Sequence, residues 1–423
     1  MHYILLTLLL APFSSVRAST VTLEDAFKSA LGKSEVLQQS EEAVTQSQER
    51  IAQVRGGIFP HLDLSVNYLR QPDPANATAA QFSPAEQTNA TLTLRQPLFR
   101  GLREFAVLRQ QQNLRDASVS ARERTRMQLF AQTANAYLSV LGHEQTLENL
   151  SEQAEIYEKR INEMGGRARR GESRENDVLS AKTTEASLLA EIRMVQGQRQ
   201  EARETLSYLT GIARDVKLVD PQALKHGEVL ALDKYLAKLD QRPDIRTAID
   251  QYEASEEEVA SAWRAHSPTL DATGNYYLVR AGFLSDLKWD VGLTLTVPIF
   301  AGGTTQASVR EAVSKRKVAE LEVHRLRRFA QQEVRSLYER LTARLDHMQK
   351  LQLSVELSSK NAKLSQRDFR RGLTTNVDVQ MALSEARNTR KTYDQSRFAA
   401  QLDFYDLQTA AAITPAPMKK ALQ

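Results

Sequence analysis

The chain has 423 residues, of which 26% are charged and 6% aromatic, and its mean hydropathy is −0.45. Scarce Gly and Pro beside abundant Ala, Gln, Glu, Leu and Arg argue for long helices and coiled coils, and against two or three ordinary globular domains. The absence of Cys excludes disulfides, thiolate metal sites, a Cys nucleophile and a lipidated Cys, and a net charge of +4 makes no demand for a nucleic-acid partner.

Residues 3–13 form an apolar run of signal-peptide length, and Val16-Arg17-Ala18 ends it with small residues at cleavage spacing. Residues 1–18 are therefore expected to be an export signal. The run is too short for a spanning helix, which needs about 20 residues.

Beyond it the chain repeats itself. Pro97-Leu98-Phe99-Arg100-Gly101 returns as Pro298-Ile299-Phe300-Ala301-Gly302. Tyr137 returns as Tyr338, Arg170-Gly171 as Arg371-Gly372, and Asp177-Val178 as Asp378-Val379, all at a shift of 201. Upstream, Pro60, Asp63 and Asn67-Tyr68 return as Pro268, Asp271 and Asn275-Tyr276 at a shift of 208. The extra residues fall in 71–88, a Pro-containing stretch that reads as a loop. The expected organisation is a first repeat over 19–211, a linker over 212–231, a second repeat over 232–412 and a tail over 413–423.

Four segments, 61–71, 88–98, 269–279 and 287–298, alternate with period two. Leu62, Leu64 and Val66 stand against Asp63, Ser65 and Asn67, and Leu92 and Leu94 against Thr91 and Thr93. Leu270 and Ala272 stand against Asp271 and Thr273, and Leu293 and Leu295 against Thr294 and Thr296. Strands of about ten residues with one apolar and one polar face suit a transmembrane barrel. Leu64, Val66, Leu293 and Leu295 are expected to face lipid, and Asp63, Thr93, Asp271 and Thr294 the lumen. Pro60, Pro97, Pro268 and Pro298 bracket the strand pairs as barrel junctions, because Pro breaks a helical ladder. Four strands cannot close a barrel, and open edges are not tolerated in lipid. A dimer would supply eight strands, enough only for a barrel filled by its own side chains, whereas a trimer leaves a lumen.

The remaining sequence has a helical register. Leu150, Ala154, Tyr157, Ile161 and Met164 alternate steps of four and three, as do Met127, Phe130, Ala134, Tyr137 and Leu141. Leu341, Met348, Val355, Ala362 and Phe369 recur every seven residues, which implies left-handed supercoiling. Pro is absent between Gly101 and Gly171, so a helix of roughly 100 Å is expected there. The fold class is mainly α with a small membrane β part, internally duplicated.

The signal, the duplicated halves, Pro-Leu-Phe-x-Gly and Pro-Ile-Phe-x-Gly after the second strand of each half, and Gly-x5-Asp-Val after each tip resemble the TolC-like outer membrane efflux protein family. The resemblance spans essentially the whole mature chain. It implies a homotrimer with a 12-stranded barrel in outer-membrane lipid and an α-helical barrel through the periplasm. The function implied is a passive exit duct of a tripartite efflux or type I secretion system. Its partners would be a periplasmic adaptor (membrane fusion) protein and an inner-membrane pump. The turns Arg170-Gly171 and Arg371-Gly372 would be adaptor-contacting tips.

The resemblance also implies a constriction after the second tip, with Asp378 at the first of two acidic positions. Met381 occupies the second, a departure from the pattern. Phe369, Thr374 and Thr375 share that turn. Asp177 is the first-half counterpart, placed to pair with Arg167, Arg170 or Arg371. Three copies of Asp378 would repel, favour cations and raise the carboxylate pKa. The competing role for both acids is to cap the returning helices. Nothing points to an enzyme or a cofactor: the His residues are scattered, and no nucleophile-elbow, P-loop or dinucleotide motif occurs. Gly165-Gly166 is expected at a helix end. A soluble periplasmic coiled-coil scaffold without a pore is the alternative reading.

Overall fold

A computed structural model describes residues 20–422 apart from 75, 77–81, 83 and 222; the expected export signal lies outside the described residues. The elements are α1 (Leu23–Lys33), α2 (Glu35–Gly56), β1 (His61–Arg70), β2 (Glu86–Phe99), α3 (Arg103–Arg169), α4 (Glu175–Thr210), α5 (Leu232–Leu236), α6 (Pro243–Arg264), β3 (Thr269–Val279), β4 (Trp289–Thr296), α7 (Thr304–Arg370), α8 (Asn376–Ala410) and α9 (Ala416–Ala421). The order helix, strand, strand, long helix, helix thus occurs twice. The two long helices, α3 and α7, have 67 residues each. Among the described residues no helix is long and apolar enough to cross a membrane.

The chain divides into two compact units. One comprises Val36–Thr125 and Leu239–Ala330 and holds the sheet. Its strands run antiparallel in the order β1-β2-β3-β4, which leaves β1 and β4 as edges. Register assigns the faces. Asp63 pairs with Thr93, and Thr93 with Asn275, which pairs with Asp290. Leu64 pairs with Leu92, then Tyr276, then Trp289 on the other face. Asp271 opposes Thr294, and Leu270 opposes Leu295. The two-faced alternation is therefore continuous across all four strands. On the apolar face Leu64, Val66, Leu293 and Leu295 are 61–68% exposed, an arrangement that water does not favour.

The polar face is tied crosswise. Thr93 Oγ1 donates to Asn275 Oδ1 at 2.9 Å, and Asn275 Nδ2 donates to Asp290 Oδ1 at 2.8 Å. Tyr277 donates to Asp290 Oδ2 at 2.6 Å.

Pro60 and Pro268 immediately precede β1 and β3, and Pro298 follows β4. Pro97 instead lies inside β2, which runs on to Phe99 past the expected end at 98. The ladder shifts register between Pro97 and Phe99, the irregularity at which a residue without N–H is accommodated. β4 is shorter than expected because Leu287 is drawn into a turn, its N–H bonding Leu284 O at 3.1 Å.

The other unit runs through Glu35, then Arg126–Lys238, and then from Gln331 onward. Its helical core follows the seven-residue register. Leu150, Tyr157 and Met164 of α3 and Ala181, Leu188 and Val195 of α4 are buried at intervals of seven, packed with Ala362, Val379, Ala382 and Leu383. Burying a side chain of Leu size contributes about 1.5–3 kcal/mol, so this seam rather than helix propensity stabilises the helices. Residues 212–231, expected as a linker, contribute Leu218 and Leu224 to the interior. Tyr137, fully buried, anchors that segment: its hydroxyl lies 2.6 Å from Val219 O and 2.8 Å from Val21 O. Gly165 and Gly166 do not end α3, which continues to Arg169. Their φ angles are not positive, and tertiary packing around Met164 outweighs the propensity cost of about 1 kcal/mol each.

Candidate functional site

Two helix reversals of identical construction lie in this second unit. Gly171 and Gly372 both have φ of 77°. Glu172 N–H closes on Arg167 O at 2.9 Å and Gly171 N–H on Ala168 O at 3.0 Å. Leu373 and Gly372 close on Asp368 O and Phe369 O at 2.9 and 3.0 Å. This is the two-bond Schellman ending, which requires a left-handed residue. A Cβ at either Gly would meet nothing within 4 Å. The requirement is therefore for the backbone angle and not for space, at about 1–2 kcal/mol for an L-residue.

The returning helices start differently. Thr375 caps α8 in a capping box with Asp378. Asp378 Oδ2 accepts from Thr374 Oγ1 at 2.9 Å, Thr375 N–H at 2.9 Å, and the Thr375 hydroxyl. The Thr375 side chain and backbone N–H, followed by Thr374, hold the carboxyl below its ordinary value. This is opposite to the rise that a ring of repelling carboxylates would produce, because within one chain the hydrogen bonds dominate. The cap is in place at neutral pH and is lost as pH falls through the lowered folded value.

In the first half the cap position holds Arg174, whose side chain makes no capping bond. Asp177 is consequently free to reach across to the other reversal. Its Oδ1 accepts from Asn376 Nδ2 at 3.1 Å. It does not bond the arginines expected from the sequence, and two of those three are engaged elsewhere. Arg170 grips Glu172 at 3.0 and 3.1 Å, and Arg167 donates to Arg370 O at 3.0 Å.

Asn376, 5% exposed, also receives the guanidinium of Arg160, 8% exposed, on its side-chain oxygen and, at 3.2 Å, on its carbonyl. Phe369 is half-buried against the helical core, with Arg160 and Arg167 over its ring at 5.4 and 5.7 Å from the centroid. Buried Arg160 and Asn376 and half-buried Asp177 therefore form a polar chain linking α3, α8 and α4. Further along, Ser180 and Gln380 are hydrogen-bonded at 3.0 Å, and Lys391 reaches Glu191 at 2.8 Å. Helices at equivalent places in the two repeats thus lie side by side. Sequence reading missed Arg160 and Asn376; a lone Arg on a heptad helix carries no local signal of its partner.

Comparison with known proteins places this arrangement. The model of the outer membrane efflux protein family matches residues 26–212 and 236–412. The chain belongs to the outer membrane efflux protein family. Among its relatives is the outer membrane protein TolC of Escherichia coli (strain K12), 21% identical over 96% of this chain and 85% of that one. The proteases secretion protein PrtF of Dickeya chrysanthemi is 25% identical over 93% and 88%. The crystal structure of the outer membrane protein VceC from Vibrio cholerae shares the fold, with a TM-score of 0.80 at 18% identity over 92% of this chain and 95% of that one. As a family member the protein is an efflux channel of the Gram-negative outer membrane and not an enzyme. The reading as a poreless scaffold is set aside, and the two-faced sheet has its explanation in lipid.

Proposed function

We propose that three copies of this chain close one 12-stranded barrel and serve as the exit duct for a periplasmic adaptor and an inner-membrane pump. The observation that carries this is the open four-stranded sheet with one apolar and one polar face. Unpaired strand edges cost several kcal/mol per group in lipid, so β1 of one copy pairs with β4 of the next. Native mass spectrometry of the detergent-solubilised protein is expected to give three chains; a monomer or dimer mass would overturn the assembly.

In this reading the six reversals of a trimer, at Arg170-Gly171 and Arg371-Gly372, receive the adaptor. The second reversal, with Asp378, Thr374, Thr375 and Phe369, surrounds the entrance. Asp177, held by Asn376, fixes the two reversals of each chain together. Substituting Val at Gly171 or Gly372 is expected to abolish efflux without changing the amount of assembled protein, measured as drug or dye export beside immunoblots. Export unaltered in both variants would leave the reversals as mere connections.

A further inference from the structure

We infer that each chain carries, between α3 and α4, a niche that binds organic cations bearing an aromatic ring and that opens into the passage of the duct. The inference rests on the proposed duct, because that reading decides which face of the helices is the inner one. The niche is a cleft of about 600 Å³, within the range of small-ligand pockets. Asn135, Ser139 and His143 of α3 and Gln198, Glu201 and Tyr208 of α4 line it. Among the described residues, none of these six side chains hydrogen-bonds a protein group.

The repeat shows how the same place is filled when it is purely structural. At the shift of 201, Ser139, His143, Ala202 and Thr205 correspond to Arg340, Arg344, Asp403 and Asp406. There the arginines of α7 grip the acids of α8. Asp403 takes Arg340 at 2.8 Å and Arg344 at 2.7 Å, and Arg340 lies 4.0 Å from Asp406. The second half closes its seam with ion pairs, and the first half leaves small or neutral side chains and open space.

The direction of the opening follows from helix geometry. Tyr137 and Arg203 turn toward the inter-repeat segment, reaching the carbonyls of Val219 and Val216 at 2.6 and 3.1 Å. Asn135 and Ser139 stand two residues either side of Tyr137, and Glu201 and Thr205 two residues either side of Arg203. Two residues turn a helix by about 200°, so the cleft opens on the face opposite that segment. A conducting duct keeps the segment outside its passage, and the cleft therefore faces inward.

Its chemistry selects the ligand. Burial pushes the His143 imidazole below its ordinary value against the opposing pull of Glu201, so at neutral pH it is uncharged. Glu201 is then the ionised side chain of the lining, and Tyr208, 83% exposed, presents an uncovered ring. A carboxylate and an aromatic face together attract an organic cation. The amides of Asn135 and Gln198 add donors and acceptors. Among the described residues no group of three or more acidic or His side chains is placed to hold a metal ion instead.

The test titrates ethidium, an aromatic monocation, into the purified full-length assembly in detergent, read by fluorescence anisotropy, with native mass spectrometry of the same sample. Saturable binding of one dye per chain is expected. Glu201→Gln should weaken it about tenfold, and Tyr208→Leu about three- to tenfold. Both residues are exposed, so neither change disturbs the core. Glu204→Gln, on the same helix but paired with Arg214 at 2.8 Å, should leave binding unaltered. In planar bilayers, saturating ethidium should reduce the conductance of the unsubstituted protein and not that of Glu201→Gln. Absent saturation, or equal weakening by Glu204→Gln, would overturn the niche, while a three-chain mass left the duct standing. Binding that depends on Glu201 but does not block current would overturn the placement in the passage. A one-chain mass would overturn the duct reading and the inner face with it.

Discussion

Arginine in place of Leu293 should cost the barrel about 2–4 kcal/mol, whereas in place of Thr294 it should cost little, although the two sites are adjacent. The difference comes from the register. Leu293 opposes Ala272 on the face that carries Leu295 and Leu270, and Thr294 opposes Asp271 on the face of the Thr93–Asn275–Asp290 ladder. A guanidinium on the first face enters hydrocarbon, where it has no water and no partner. On the second it enters the lumen beside a carboxylate. Denaturant titration of protein folded into lipid vesicles measures the cost, and conductance measures the added lumenal charge. Equal destabilisation by both variants would mean that the faces are reversed or that the sheet does not span the membrane.

Arg160→Met is expected to loosen the reversals and raise resting conductance. The variant preserves the bulk of the side chain but leaves the side-chain oxygen of buried Asn376 without its donor, at a cost of about 1–3 kcal/mol. The Phe369 ring loses one of its two cations as well. Amide exchange over residues 369–380 should accelerate selectively, with exchange around Tyr137 unaffected. Arg160→Lys should rescue only in part, because an ammonium lacks the planar face that lies over the Phe369 ring. Unchanged exchange and conductance in Arg160→Met would show that the Asp177–Asn376 contact holds the reversals without it.

Much of this architecture is readable locally, since period seven, period two and the Gly-containing reversals are properties of neighbouring residues. Strand ends were displaced by two residues at most at Glu86, Trp289 and Thr296, where pairing with the adjacent strand decides the boundary. The reversals at Gly171 and Gly372 were legible because a positive φ restricts residue choice, and the duplication displays the restriction twice.

The sequence by itself determined the duplicated helix–strand–strand–helix–helix order, the two faces of every strand and the sites of both reversals. Each follows from steric and solvation preferences over a few residues. Only the tertiary structure decided the partners. Asp177 turned to Asn376, while Arg170 and Arg167, two of the arginines expected for it, bond Glu172 and the Arg370 carbonyl. The Asp378 capping box is by contrast local, since a Thr stands three residues before it, whereas its first-half counterpart has Arg174 in that place. The inter-repeat segment packed inward because Tyr137, some 80 residues away, supplied its hydrogen bonds. Such choices depend on groups brought together from distant parts of the chain, and no periodicity encodes them.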